Sequence, residues 1–142
     1  GEEHGAGQAH QQPAAHVRGT GRERGDEAAE AAAAERGFTT KVIRIPGCYE
    51  MPIVCHALLE KGGLGGIAVL GYIERGHTLH GEVMGHVVQD ALVRLQLEFR
   101  IPVGVGIVGP GATIEQARER NVGYGRAAVE AALTVREVIS SL

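Results

Sequence analysis

The sequence predicts an α/β domain built on a parallel sheet with helices on both faces. Two observations carry this. Short apolar runs, Lys41–Ile45, Ile67–Gly71 and Ile101–Val108, alternate with longer stretches whose apolar residues recur at helical spacing. Glycine and proline clusters punctuate the boundaries between them. Strands that alternate with helices pair in parallel, because each crossover helix returns the chain to the same end of the sheet.

Composition narrows the function classes. The 142 residues fit one domain, and a 44% apolar content is enough for a real core. The formal charge is -3 with no basic stripe, so no nucleic-acid partner is expected. No run of about 18 apolar residues and no leader-like segment stands in the sequence, so a soluble, cytoplasmic protein without a membrane partner is expected. Cys48 and Cys55 are the only cysteines and read as buried, reduced thiols rather than a disulfide. Aromatic residues make up only 4%, which leaves little surface for stacking a flat heterocycle.

Taken in order, residues 1–22 form a polar N-terminal segment whose only short apolar piece is Ala14–Val17. It stands where a first strand belongs, and its composition offers at most a degenerate one. Residues 23–142 form the folded domain. Asp26 to Arg36 is rich in alanine and glutamate, with Asp26 as N-cap and Gly37 as the stop. Lys41–Ile45 is a strand ended by Pro46 and Gly47. Pro52–Lys61 is a helix with an apolar face at Ile53, Val54, Ala57 and Leu58, ending at Gly62 and Gly63.

Ile67–Gly71 reads as a buried strand, followed by a loop that carries Gly76, His77, Thr78 and His80. The next helix has Val83, Met84, Val87, Val88, Ala91, Leu92 and Leu95 at helical spacing. Ile101–Val108 is the last strand, before Gly109–Gly111. A helical stretch then runs from Ile114 to Arg120, Gly123 and Gly125 interrupt it, and a final helix covers about Arg126 to Ser140.

The loop from Gly71 to Glu82 is the candidate site. A strand that stops, a loop and a helix start is where open α/β sheets bind ligands. Unpaired backbone N–H groups at the helix start favour an anion. A histidine beside such an anion is suited to carry protons at neutral pH.

Four ordered motifs give the site a family context. Pro46-Gly-Cys-Tyr-Glu-Met-Pro52, Gly71 to His80, Pro102-Val-Gly-Val-Gly106 and Thr113-Ile-Glu-Gln-Ala-Arg-Glu-Arg120 resemble, in order, segments of the 6,7-dimethyl-8-ribityllumazine synthase family of riboflavin biosynthesis. The resemblance covers about residues 38 to 142. It implies a flavodoxin-like, three-layer α/β/α sandwich around a parallel four-stranded sheet. It further implies a homo-pentamer or a 60-subunit shell, with sites between neighbouring subunits. The expected activity is that of a transferase condensing 5-amino-6-ribitylaminouracil with 3,4-dihydroxy-2-butanone 4-phosphate, with no metal or organic cofactor.

The resemblance also assigns roles. His80 matches the proton-shuttling histidine. Gly76, His77 and Thr78 match the phosphate loop, and Ile73, just before it, is a further substrate-binding residue. Arg120 matches the arginine that reaches the phosphate across the subunit boundary. Tyr49 and Glu50 match the segment that stacks on the pyrimidine and holds the ribityl chain. Val105 stands where an aromatic is usual, and Arg126 is the substitute for a lysine in a segment one residue shorter. Gly81 replaces another aromatic, the aromatic-Asn pair of the first strand has no counterpart, and Gly109–Ala112 is about one residue longer than the family's turn. A second reading follows from these departures: a catalytically weak relative, kept as an oligomeric scaffold or as a binder of flavin-like ligands.

Other patterns have plainer readings. Gly104-Val-Gly-Ile-Val-Gly109 fits G-x-G-x-x-G but comes too late in the chain for a dinucleotide half, so these are strand glycines. His77, His80, Glu82 and His86 lack the spacing of a helical metal site, and His86 reads as a helix-surface residue. Glu74 reads as a solvated charge, and Tyr49, between two breakers, as ligand-facing rather than core.

Overall fold

The computed structural model of the protein describes residues 14–18, 23–74 and 78–142. Strands and helices alternate along the chain: β1 (Ala14–Arg18), α1 (Glu23–Glu35), β2 (Thr40–Arg44), α2 (Met51–Lys61), β3 (Gly66–Glu74), α3 (His80–Phe99), β4 (Val103–Ala112) and α4 (Ile114–Ser141). A single 3₁₀ turn, Cys48–Glu50, leads into α2. The strands pair in parallel in the order β2-β1-β3-β4.

β1 lies between β2 and β3, with Ala14 opposite Thr40 on one side and Gly66 on the other. The segment that looked too polar for a central strand is therefore held through its backbone. Ladder hydrogen bonds are indifferent to side-chain type, so pairing on two sides sustains a strand that composition alone would not.

β3 shows how the core divides. Its side chains alternate between two apolar clusters. Ile67, Val69 and Ile73 join Met51 and Cys55 of α2, Val88 and Leu92 of α3, and Ile107 of β4. Ala68 and Leu70 join Ala29, Ala32 and Ala33 of α1 and Ala128 and Leu133 of α4. Helices thus cover both faces, and the two sides differ in character. Large side chains fill the first; truncating a fully buried one there, such as Leu92, costs about 2–5 kcal/mol. Alanines let the helices come close on the second.

Several expectations are corrected. α1 begins at Glu23, so Asp26 is a buried residue inside it rather than its N-cap. Its end is as expected. Gly37 takes φ 81°, and the Phe38 and Gly37 amides donate to the Ala33 and Ala34 carbonyls at 3.0 Å, a Schellman closure. α2 turns Met51, Cys55 and Leu59 inward and leaves Ile53 73% exposed. α3 likewise buries Gly85, Val88, Leu92 and Leu95 while Val83 and Val87 face outward.

The largest correction is α4, which is one helix from Ile114 to Ser141 rather than two. Gly123 and Gly125 do not break it. A Cβ on Gly125 would collide with the carbonyl oxygen of Gly25 in α1. The glycine is there to let two helices touch, and that packing overrides its low helix propensity.

Both thiols are buried and free. Burial pushes Cys48 up to about 11 and Cys55 up to about 12. Because the folded values lie above the ordinary 9.0, the thiols' contribution to stability is complete below pH 9 and lost as pH rises through 11 and 12. The melting temperature should therefore fall from pH 9 upward, and less so in a Cys48→Ala/Cys55→Ala variant. Equal slopes for the two proteins in alkaline melting curves would rule this out.

Candidate active site

The carboxyl ends of the parallel strands gather most of the residues singled out by sequence. After β2, the 3₁₀ turn puts Tyr49 on the surface, 61% exposed, and Glu50 beside it as the exposed residue preceding α2. The turn is anchored from below by Cys48, whose thiol lies 3.8 Å from the Tyr72 carbonyl of β3. A Cβ on Gly71 would stand 2.6 Å from that sulfur and 2.9 Å from Met51 Cε. Only glycine lets the turn sit this close to β3.

β3 runs on to Glu74, three residues beyond the strand expected from Ile67–Gly71. Ile73 is therefore a buried core side chain rather than one exposed to a ligand. Glu74 is an exposed charge, at a strand end rather than in a loop. Gly76 and His77 lie outside the described residues. Thr78 is exposed, and its Oγ1 accepts the His80 amide at 3.3 Å. His80 is the first residue of α3, exposed, with its amide group at the positive end of the helix.

β4 supplies the next wall. Its register against β3 slips between Tyr72 opposite Val108 and Glu74 opposite Ala112, so two extra residues bulge at Gly109–Gly111. What looked like a break after Val108 is this bulge inside a continuing strand. Val105 lies on β4, 39% exposed, although Val103 and Ile107 two residues to either side are buried. It marks an opening on an edge strand. Gly104 and Gly106 are strand glycines with α4 directly above them.

α4 starts with a full capping box. The Gln116 amide donates to Thr113 Oγ1 at 3.2 Å, and the Thr113 amide donates to Gln116 Oε1 at 2.9 Å. Arg120, about two turns further on, is exposed. Arg126 is not brought to the strand ends. It lies about 20 Å along α4 from the cap, and its guanidinium is taken by Glu35 of α1 and by Glu130 at 2.9 Å. The guanidinium in turn holds the Glu35 carboxyl below its usual range. As the substitute for a substrate-binding lysine Arg126 is engaged elsewhere, because carboxylates on two helices are nearer to it than the site is. His86 is on the helix surface, facing Glu82 at 3.9 Å.

One residue was missed by sequence reasoning. Tyr72, half-buried on β3, donates its hydroxyl to the Ala112 carbonyl at 3.1 Å, across the bulge and just before the α4 cap. No local pattern distinguishes it from an ordinary strand tyrosine.

Chemically, the arrangement offers an exposed aromatic, a carboxylate, a hydroxyl, an imidazole at a helix start and a guanidinium. Those groups suit a planar polar ligand, a proton transfer and an anion.

The sequence model of the 6,7-dimethyl-8-ribityllumazine synthases matches residues 22–141. Three proteins named 6,7-dimethyl-8-ribityllumazine synthase are similar to this chain. That of Staphylothermus marinus is 41% identical over 92 residues, 65% of this chain and 61% of its own length. That of Metallosphaera sedula is 39% identical over 101 residues, 71% and 67% respectively. That of Saccharolobus islandicus is 42% identical over 92 residues, 65% and 60%. The chain thus spans between 60% and 67% of the length of these relatives. A match that takes in every element from α1 to α4, strand-end turns included, leaves one conclusion: the chain belongs to the 6,7-dimethyl-8-ribityllumazine synthase family.

Proposed function

We propose that the protein is a transferase of riboflavin biosynthesis, condensing 5-amino-6-ribitylaminouracil with 3,4-dihydroxy-2-butanone 4-phosphate to give 6,7-dimethyl-8-ribityllumazine, phosphate and water. The observation that carries the reading is the placement of His80. It opens α3 directly after the carboxyl end of β3, with Thr78 bonded to its amide. Imine formation and ring closure need protons moved at an amine and a carbonyl, and an exposed imidazole does this. Phosphate departs against helix-start amides, with Arg120 as the cationic partner. Tyr49 stacks on the pyrimidine and Glu50 holds the ribityl hydroxyls. Holding two substrates together supplies much of the acceleration, so no metal or organic cofactor is required.

The fold that carries this reaction is the flavodoxin-like, three-layer sandwich on a four-stranded sheet, a reading that the order β2-β1-β3-β4 supports. The working unit is a homo-pentamer or a 60-subunit shell. Large apolar side chains left outside the core support this, among them Leu97, 76% exposed, and Val83, Val87 and Ile53. Sedimentation at micromolar concentration should show a pentamer or a multiple of it; a stable 14.9 kDa monomer would overturn the assembly. The enzyme works in the cytoplasm, where its free thiols stay reduced, and cell fractionation is the check.

The activity is tested by mixing the two substrates with the protein and following the fluorescence of 6,7-dimethyl-8-ribityllumazine. Product formation above the spontaneous rate is expected. A rate equal to that of the substrates alone would refute the reading.

A further inference from the structure

We infer that Tyr72 is a positioning residue that holds the phosphate side of the site in register, a role that rests on the activity proposed above. Three site segments meet at this one residue. Its carbonyl oxygen lies 3.8 Å from the Cys48 thiol, at the base of the turn that carries Tyr49 and Glu50. Its hydroxyl donates to the Ala112 carbonyl at 3.1 Å. Its ring packs in the cluster formed by Val108, Ala112 and Ala117, which joins the end of β4 to the first turn of α4.

The hydroxyl bond matters because of where Ala112 stands. It is the last residue of β4, after the two-residue bulge, and immediately precedes the Thr113 cap of α4. A bulge interrupts the ladder, so its backbone is fixed by fewer interstrand bonds than a regular strand has. The tyrosine supplies a replacement. Fixing Ala112 fixes the start of α4, and with it the direction in which Arg120 leaves the helix. The same bulge reaches α3 through Pro110. A Cβ on Gly85 would stand 2.7 Å from Pro110 Cδ, so helix and bulge are already in contact. Gly85 lies little more than one turn beyond His80. The bulge is therefore clamped between Tyr72 and the helix that opens with His80.

Tyr72→Phe keeps the ring and removes only the hydroxyl, so the variant retains its packing. The loosened helix start should raise KM for the phosphorylated substrate roughly fivefold, the worth of one hydrogen bond, and leave KM for the pyrimidine unchanged. A general loss of stability would not separate the two substrates. Hydrogen exchange gives a readout free of turnover: the Gln116 and Ala117 amides should exchange several-fold faster in the variant, with the α2 amides unchanged. Unchanged exchange at the start of α4 would overturn the role, whatever the kinetics. Faster exchange at α4 with both KM values raised alike would overturn the selective part of the claim. If the unmutated protein makes no lumazine, the proposed activity fails separately, and exchange at Gln116 and Ala117 alone decides whether Tyr72 holds the helix.

Discussion

Gly104→Ala should unfold the protein or cost more than about 3 kcal/mol, since a Cβ there meets helix backbone at closer range than at the other described glycines. The added Cβ would lie 2.7 Å from the Ala128 carbonyl carbon and 3.2 Å from its Cα, and closer still to its carbonyl oxygen. These are backbone atoms in the middle of α4, which cannot rotate aside as a side chain can. The helix would have to lift from the sheet and open the cluster that Ala68, Leu70, Ala128 and Leu133 close. Gly123→Ala makes the opposite case. Nothing lies within 4 Å of a Cβ there, and the site is inside a helix, so alanine should stabilise by up to about 1 kcal/mol. Urea unfolding of both variants checks the pair. A Gly104→Ala protein as stable as the parent would mean that α4 does not sit on β4 as described.

Glycines in α4 also show what the sequence conceals. Gly123 and Gly125 read as a helix break because glycine disfavours helices, and only the nearness of Gly25 shows why Gly125 is there. Contacts between residues a hundred positions apart leave no local trace. β1 is hidden for a related reason, since it is paired with two neighbouring backbones, which its own composition does not announce. The apolar faces of α2 and α3 were misjudged because both helices carry more apolar residues than one face needs. Periodicity then fits Ile53 or Val87 as well as Cys55 or Val88. By contrast β2, α2 and the end of α1 were legible, because breakers and caps act within a few residues.

The site divides in the same way. Tyr49, Glu50, Thr78, His80 and Arg120 stand out as candidates because their residue types and order form motifs. Tyr72 and the Gly85–Pro110 contact were not, because their meaning comes from a bulge that only the strand register reveals.

His80→Ala should lower kcat about ten- to a hundredfold and leave KM near its starting value, the low end of general acid–base catalysis when proximity carries most of the acceleration. The loss cannot come from unfolding. His80 is exposed at the first position of α3, and the bond to Thr78 Oγ1 uses its backbone amide, which alanine retains. Its effect on stability should stay within about 0.5 kcal/mol. Arg120→Ala provides the contrast. In the proposed reaction its guanidinium meets the phosphate both before and during the chemistry, so the variant should raise KM for the phosphorylated substrate and lower kcat less. Steady-state kinetics with each substrate varied in turn distinguish the two. Equal and slight effects from both variants would place neither residue at the chemistry. A kcat loss confined to His80→Ala, beside a KM rise confined to Arg120→Ala, would separate the proton carrier from the phosphate clamp.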